Sequence, residues 1–357
     1  MRRMQISPGP RSALSSVVAT GLVTGLLSGS ALLFSGAGGA GCSFYLPERA
    51  TCSSDGGCKP GDAGVTPDMA KDVNDPSGPG PYLVASLTAP TPPSGISGLM
   101  LLGPSDDGSA LSKKEATYPL VMIAPPEYTN SSAMRAYGDR LASHGFLVAL
   151  YDVANQSNHV AYRDAAKGLL DAFVNNASTQ HIDTQRLGLV GYQLSGKISA
   201  SLAANDNRIG ALFLVDPVDV ATASGPIDGI TEISRVALAG NATVALLGAQ
   251  ITTTGSPPCV QSPPTKSFQD FYDASRMPAV AIKFGGANLG DFVDNYYDTY
   301  CTKDSTAPRT RTQDLSKKYM TAYFQWSLKA RARSREYLLG TDFATDQQNS
   351  MVTRQSK

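Results

Sequence analysis

The stretch Arg186-Leu-Gly-Leu-Val-Gly-Tyr-Gln-Leu-Ser-Gly-Lys197 decides the fold. Residues 187–192 form an aliphatic run of strand length, and the glycine-flanked turn after it leads into a helix-like segment. The spacing matches the strand–turn–helix elbow G-x-S-x-G, whose serine hydroxyl stands exposed above a sheet. Here the first glycine is Gly191 and the serine position holds Gln193. Ser195, with Gly196 behind it, replaces the last glycine. A glutamine amide has donors and an acceptor but no oxygen that a base could activate as a nucleophile. The surroundings specify a scaffold from which the central residue withholds the usual chemistry.

Outward from the elbow, strand-like and helix-like segments alternate. Short β-branched or aliphatic runs lie at 120–124, 146–152, 187–192, 211–216, 243–249 and 280–284. Asn130 is placed to cap a helix running to Ser143, and another helix is expected over 159–174, with Val160, Leu169, Leu170, Phe173 and Val174 on a shared face. Continuous apolar strands between amphipathic helices predict an α/β fold: a doubly wound, mostly parallel sheet with helices on both faces. Residues 319–339 read as a final helix ending near Gly340. The domain is therefore expected over 81–340, with a polar, frayed tail over 341–357.

The first 41 residues read as an export signal. Arg2 and Arg3 form a basic start, an apolar run spotted with Gly and Ser covers 13–34, and small residues lead to Cys42. Gly39-Ala40-Gly41-Cys42 resembles a bacterial lipobox whose cysteine receives the lipid, departing from it at Gly39. Cleavage after Ala40 without lipid is the competing reading. Residues 42–80 are rich in Gly, Pro, Asp and Ser and predict a flexible tether. An exported protein of the bacterial cell envelope, lipid-anchored in the periplasm or outer membrane, or a secreted one, is the expectation.

Five cysteines support export. With Cys42 lipidated, Cys52, Cys58, Cys259 and Cys301 remain, an even number suited to two disulfides in an oxidising compartment. Three pairings exist, and locality favours Cys52–Cys58 and Cys259–Cys301. The acidic residues of 42–80 lack the spacing of a calcium loop, and no C-x-x-C pair suggests zinc, so neither metal nor cofactor is expected. Zero formal net charge gives no reason to expect nucleic acid as a partner. Lys329, Arg331, Arg333 and Arg335 read as a solvated helix face.

Several fragments now line up. They are Tyr118-Pro-Leu-Val, Leu141-Ala-Ser-His-Gly-Phe146, the elbow through Gly196-Lys197, and Asp216-Pro-Val-Asp219. Pro257-Pro-Cys259, Asp291-Phe-Val-Asp-Asn295 and Tyr337-Leu-Leu-Gly340 follow. In this order they resemble the chlorophyllase-like branch of the α/β hydrolases, which is similar to dienelactone- and cutinase-type hydrolases. The resemblance covers roughly two thirds of the chain, each fragment weak by itself and strengthened by collinearity.

The resemblance implies an ester hydrolase, and also where its machinery belongs. The nucleophile position is Gln193. The base belongs in the loop Gly285-Gly-Ala-Asn-Leu-Gly290, where Asn288 or Leu289 stands in place of histidine. Of the three histidines, His144 reads as a structural turn residue, and His159 and His181 as exposed. Asp216 matches a family acid by position or is a turn former; the alternative acid position holds Gln250, Ile251 and Thr252. The oxyanion hole would use the Leu194 N–H and the loop Pro125-Pro126-Glu127-Tyr128, where prolines offer no N–H. Ser195 with Lys197 invites a Ser–Lys dyad, against the plainer reading of a small residue packed in a helix turn. Tyr296, Tyr297 and Tyr300 read as packing around a disulfide rather than binding a ligand.

Three functions follow as expectations. The first is a pseudo-hydrolase that binds a hydrophobic or ester-like small molecule in a cleft lined by Glu127, Tyr128, Gln193 and Leu194, held to the membrane by its lipid. The second is an esterase with a non-standard residue set. The third is an inert surface-interaction lipoprotein. Unreduced peptide mapping by mass spectrometry is expected to recover Cys259 linked to Cys301, a bond of about 2–4 kcal/mol in stability. Recovery of both as free thiols would rule the pair out.

Overall fold

Central strands arise where the chain runs apolar without interruption, because both faces of such a strand are covered. The computed structural model describes residues 74–126, 129–219, 242–251, 268–293, 305–349 and 352–357. The segment 1–41 expected as an export signal, Cys42, Cys52, Cys58, Glu127, Tyr128, Cys259, Tyr296, Tyr297, Tyr300 and Cys301 lie outside the described residues. All described residues fall within one compact unit, 64–357.

The strands are β1 (Leu83–Leu87), β2 (Ile96–Ser105), β3 (Tyr118–Ala124), β4 (Leu147–Val153), β5 (Ile182–Tyr192), β6 (Ile209–Val215), β7 (Thr243–Ala249), β8 (Ala279–Phe284) and β9 (Val352–Ser356). They form one sheet in the order β1-β2-β4-β3-β5-β6-β7-β8-β9. The inner pairings, from β4–β3 through β7–β8, are parallel. The pairings β1–β2, β2–β4 and β8–β9 are antiparallel. This is the doubly wound, mostly parallel sheet that the apolar runs predicted.

Helices cover both faces. One core joins Leu169 and Phe173 of α2 (His159–Asn175), Ile198 and Leu202 of α4 (Leu194–Asn205) and Phe271 of α5 (Phe268–Ala274) to the sheet. The other joins Tyr137 and Leu141 of α1 (Arg135–Ser143) to Tyr319, Tyr323 and Phe324 of α6 (Arg309–Lys329). Asn130 caps as expected, accepting from Ser132 N, but it caps a 3-10 turn, Ser131–Met134, that leads into α1. The short α3 (Ala177–Gln180) precedes β5.

The structure corrects four expectations. The last long helix starts at Arg309, not 319, because its first turns bury Thr312, Gln313 and Ser316 and carry no apolar stripe to read. It stops at Ala330, which adopts a left-handed conformation with φ 52°. Residues 341–357 are not a frayed tail: α7 (Glu336–Leu339) leads to α8 (Thr341–Asn349), and β9 closes the sheet edge against β8. Phe343 and Val352 are the buried anchors of this otherwise polar segment. Residues 74–80, expected in the tether, are hydrogen-bonded to the domain, since Arg140, His144 and Gln325 offer donors to their carbonyls. The basic cluster is not simply a solvated face, for Lys329 reaches His144 O, Arg331 pairs with Asn74 and Arg333 with Asp342.

Tyr323 ties α6 to the sheet. Its hydroxyl donates to Thr243 O at 2.6 Å and accepts from Leu212 N at 3.0 Å. Tyr323→Phe leaves both backbone groups buried without this partner and is expected to cost about 1–3 kcal/mol in urea unfolding. An unchanged midpoint would contradict it.

Candidate functional site

At the carboxyl edge of β5 the chain reverses into α4 through a single residue. Gln193 adopts φ 54° and ψ −119°, a region that side chains rarely occupy. The bend is tight because the main chain passes itself closely. A Cβ on Gly191 would stand 2.6 Å from Gly196 Cα, and one on Gly196 would stand 2.9 Å from Pro217 Cβ. Gln193 N donates to Val215 O at 3.0 Å, while Gln193 O accepts from Gly196 N at 2.9 Å and Val218 N at 3.2 Å. The elbow thus survives around glutamine, hydrogen-bonded to the end of β6.

Ser195 serves this bend. Its Oγ accepts from Tyr192 N at 2.8 Å and donates to Tyr192 O at 2.8 Å, with Ala124 O at 3.2 Å as an alternative acceptor. Lys197, one turn on, forms an ion pair with Asp219, and both side chains are buried. Ser195 and Lys197 are therefore each engaged elsewhere. The Lys197–Asp219 pair escaped sequence reasoning; its only trace was a lysine among the small residues opening α4.

The expected cleft is closed where it is described. Gln193 is 0% exposed, Leu194 2% and Ser195 1%. Pro125 and Pro126 after β3 are buried as well. The expectation that Gln193 and Leu194 line an open pocket is corrected here, since both are buried.

The loop after β8 is a second closed turn. Asn288 Oδ1 accepts from Gly290 N at 2.9 Å, and Asp291 Oδ2 accepts from Asn288 N at 2.8 Å, a reciprocal capping box. Tyr192 of β5 donates its hydroxyl to Leu289 O, and Tyr137 of α1 donates to Phe292 O. Burial raises the Asp291 carboxyl, with the Ser305 hydroxyl, the Asn288 N–H and Arg309 opposing. Asn288 and Leu289 are both buried.

Asp216 ends β6 beside the elbow with φ 41°. Its N–H donates to Leu247 O at 2.7 Å and its Oδ1 accepts from Ala249 N at 3.1 Å. Desolvation pushes its carboxyl up to about 7, with only the Ala249 N–H pulling down.

The histidines separate by edge. His144 follows α1 at the amino edge, its Nε2 2.9 Å from Gly78 O. Exposed His181 precedes β5, its Nδ1 3.2 Å from Ala116 O. His159 opens α2 on the same edge as the elbow and is buried, not exposed as expected. It shares the buried stripe of Tyr162, Ala166, Leu169 and Phe173, and that helical spacing was the overlooked signal.

Together the parallel sheet, the strained strand-to-helix bend and the loop after the last parallel strand define an α/β-hydrolase fold. A family profile described as "PETase: PET hydrolase-like" matches residues 69–233. "Cutinase 2" of Thermobifida cellulosilytica is 31% identical over 110 residues, covering 29% of this chain and 42% of that protein. "Cutinase" of Thermobifida fusca (strain YX) is 31% identical over the same length, with 29% and 34% covered. The chain thus spans about a third to two fifths of the curated relatives it matches. It is similar to cutinase-type α/β hydrolases over this part of its length. The profile match includes Gln193 and ends before the loop of Asn288.

Asp216 gives a pH signature. Between pH 3.8 and about 7 the folded chain holds a proton that the unfolded chain has released, so this group's contribution to stability falls as pH rises through that window. Asp216→Asn is expected to remove this slope, up to about 1.4 kcal/mol per pH unit, and to gain on the wild type toward pH 8. Parallel stability–pH curves for the two proteins would contradict it.

Proposed function

We propose that this chain is a cutinase-type α/β-hydrolase-fold protein without serine-hydrolase activity, acting by binding or scaffolding at the bacterial cell envelope. One observation carries the reading: the elbow holds buried Gln193 while the base position holds Asn288, whose side chain closes a capping box. Acyl transfer needs a nucleophilic oxygen or sulfur and a base within reach. The nearest hydroxyl in sequence, on Ser195, is bonded to the backbone of the bend. Export over 1–41, a lipid on Cys42 and a tether over 42–73 belong to the same proposal and rest on the sequence pattern alone.

A hydrophobic or ester-like ligand is the proposed partner of the carboxyl edge. Asp216 favours this, because a carboxyl protonated near neutral pH can donate to a carbonyl oxygen. The burial of Gln193 and Leu194 weighs instead toward contacts made by the outer surface. Thermal stabilisation by a non-hydrolysable short-chain ester analogue separates the two.

An unrecognised residue set is the alternative, and His159 on the elbow's edge is what favours it. The full chain is expected to show no turnover of a chromogenic short-chain ester above buffer and no labelling by a fluorophosphonate probe. Gln193→Ser alone is expected to restore nothing, because the sequence has no histidine after β8. Gln193→Ser with Asn288→His has a route to activity, and it also removes the Asn288 cap. Stoichiometric labelling of the wild type, or turnover abolished by Ser195→Ala or His159→Ala, would establish the alternative.

A further inference from the structure

At the amino edge of the sheet, far from the elbow in the topology, residues 74–82 lie across the ends of α1 and α6 with an unusual density of polar contacts. Asn74 O accepts from Gln325 Nε2 at 3.0 Å, and the Asn74 side chain pairs with Arg331. Pro76 O accepts from Arg140 Nη1 at 2.9 Å, and Gly78 O lies 2.9 Å from His144 Nε2. Gly80 N donates to Ser143 Oγ at 2.9 Å and Tyr82 N to Ser143 O at 3.1 Å. Gly80 sits so close that a Cβ there would stand 2.8 Å from His144 Cγ.

The protonation state of His144 follows from its neighbours. Gln325 Oε1 accepts from Ser334 Oγ at 2.7 Å, which turns Nε2 toward the imidazole. One Gln325 N–H goes to Asn74 O, and the other faces His144 Nδ1 at 3.0 Å. Nδ1 must therefore accept, and Nε2–H must donate to Gly78 O. Protonating Nδ1 would set N–H against N–H in a buried site.

The charges around it point the same way. Arg140 comes from α1, and Lys329 and Arg331 from the end of α6. Lys329 has a largely covered side chain, donates to His144 O at 3.1 Å and has Glu115 at 3.7 Å. Asp75 on the strap itself is held by Ser77 and feels Lys318. Asp314 faces Arg140, and Arg186 faces Lys329.

We propose that residues 74–82 form an acid-released strap, clasped to the domain by the neutral imidazole of His144. Burial pushes His144 down to about 4, the Gly78 carbonyl opposing and the three cations adding to the shift. With the strap away, the imidazole meets water and returns toward 6.5, its ordinary value. The released state then binds a proton that the clasped state refuses, so clasping is strongest above pH 6.5. It weakens about tenfold per pH unit down to about pH 4. The clasp stands apart from the elbow and does not depend on whether the protein hydrolyses esters.

Hydrogen exchange on the full chain reads the clasp at the Gly80 and Tyr82 amides. After correction for intrinsic rates, their protection is expected to fall about tenfold per pH unit from 6.5 to 4 while β3 and β5 stay protected. Flat protection, or an equal loss in the sheet, would overturn the proposal. His144→Gln is expected to abolish the slope. Gly80→Ala keeps the test open if that variant does not fold: it forces the strap off at every pH, and NMR titration should then find His144 raised from about 4 toward its ordinary value, short of it because the three cations stay on the domain. The same His144 titration in wild type and Gly80→Ala would sink the idea.

Discussion

The approach of the main chain to itself at Gly191 and Gly196 is the constraint on which this edge of the molecule rests. No side chain fits between them, so β5 can turn into α4 within one residue, and that residue is left with positive φ. A strained backbone persists only where its surroundings over-determine it. Here three backbone hydrogen bonds to Gln193 do so, together with the Ser195 hydroxyl beneath Tyr192. The bend also aligns β6, since Val215 and Val218 both bond to Gln193.

Charge is arranged around the bend with little solvent. Lys197 and Asp219 pair in the interior, where removing either partner would strand the other at several kcal/mol. Among the described residues Asp216, three residues from Asp219, has no such cation, and its carboxyl is driven toward the neutral form. Two aspartates of one short segment thus have different partners, Lys197 for Asp219 and the Ala249 N–H for Asp216. The pair pins the chain leaving β6 to α4, so the geometry of the elbow and the electrostatics of this segment depend on each other.

Much of the fold was legible because its central strands are continuous apolar runs and its elbow is punctuated by glycines. The edges were not. β1 and β9 are the edge strands and β2 lies next to β1, where strands need only partial apolar cover, and β9 is the polar run Val-Thr-Arg-Gln-Ser. The start of α6 was hidden because Thr312, Gln313 and Ser316 are buried polar residues that break the amphipathic pattern. Pro308 before it was the usable signal. At the candidate site, the residue types at 193 and 288 could be read from position alone. Their burial could not, nor could the Lys197–Asp219 pair, because long-range contacts leave no local periodicity.

The loop after β8 shows how a site position can be given over to structure. A turn of this tightness needs a short side chain whose oxygen accepts from the N–H two residues on, and asparagine supplies it. Histidine has a larger ring and presents nitrogens at a different reach, so it cannot cap the turn in the same way. Tyr192 and Tyr137 then bind the next carbonyls, at Leu289 and Phe292, and the rings of Phe284, Phe292 and Tyr192 pack edge-on behind them. With the strand that carries the elbow bonded to the loop that faces it, rigidity at one position is transmitted to the other. A base placed at residue 288 would therefore disturb the loop to which Tyr192, the residue before Gln193, is bonded.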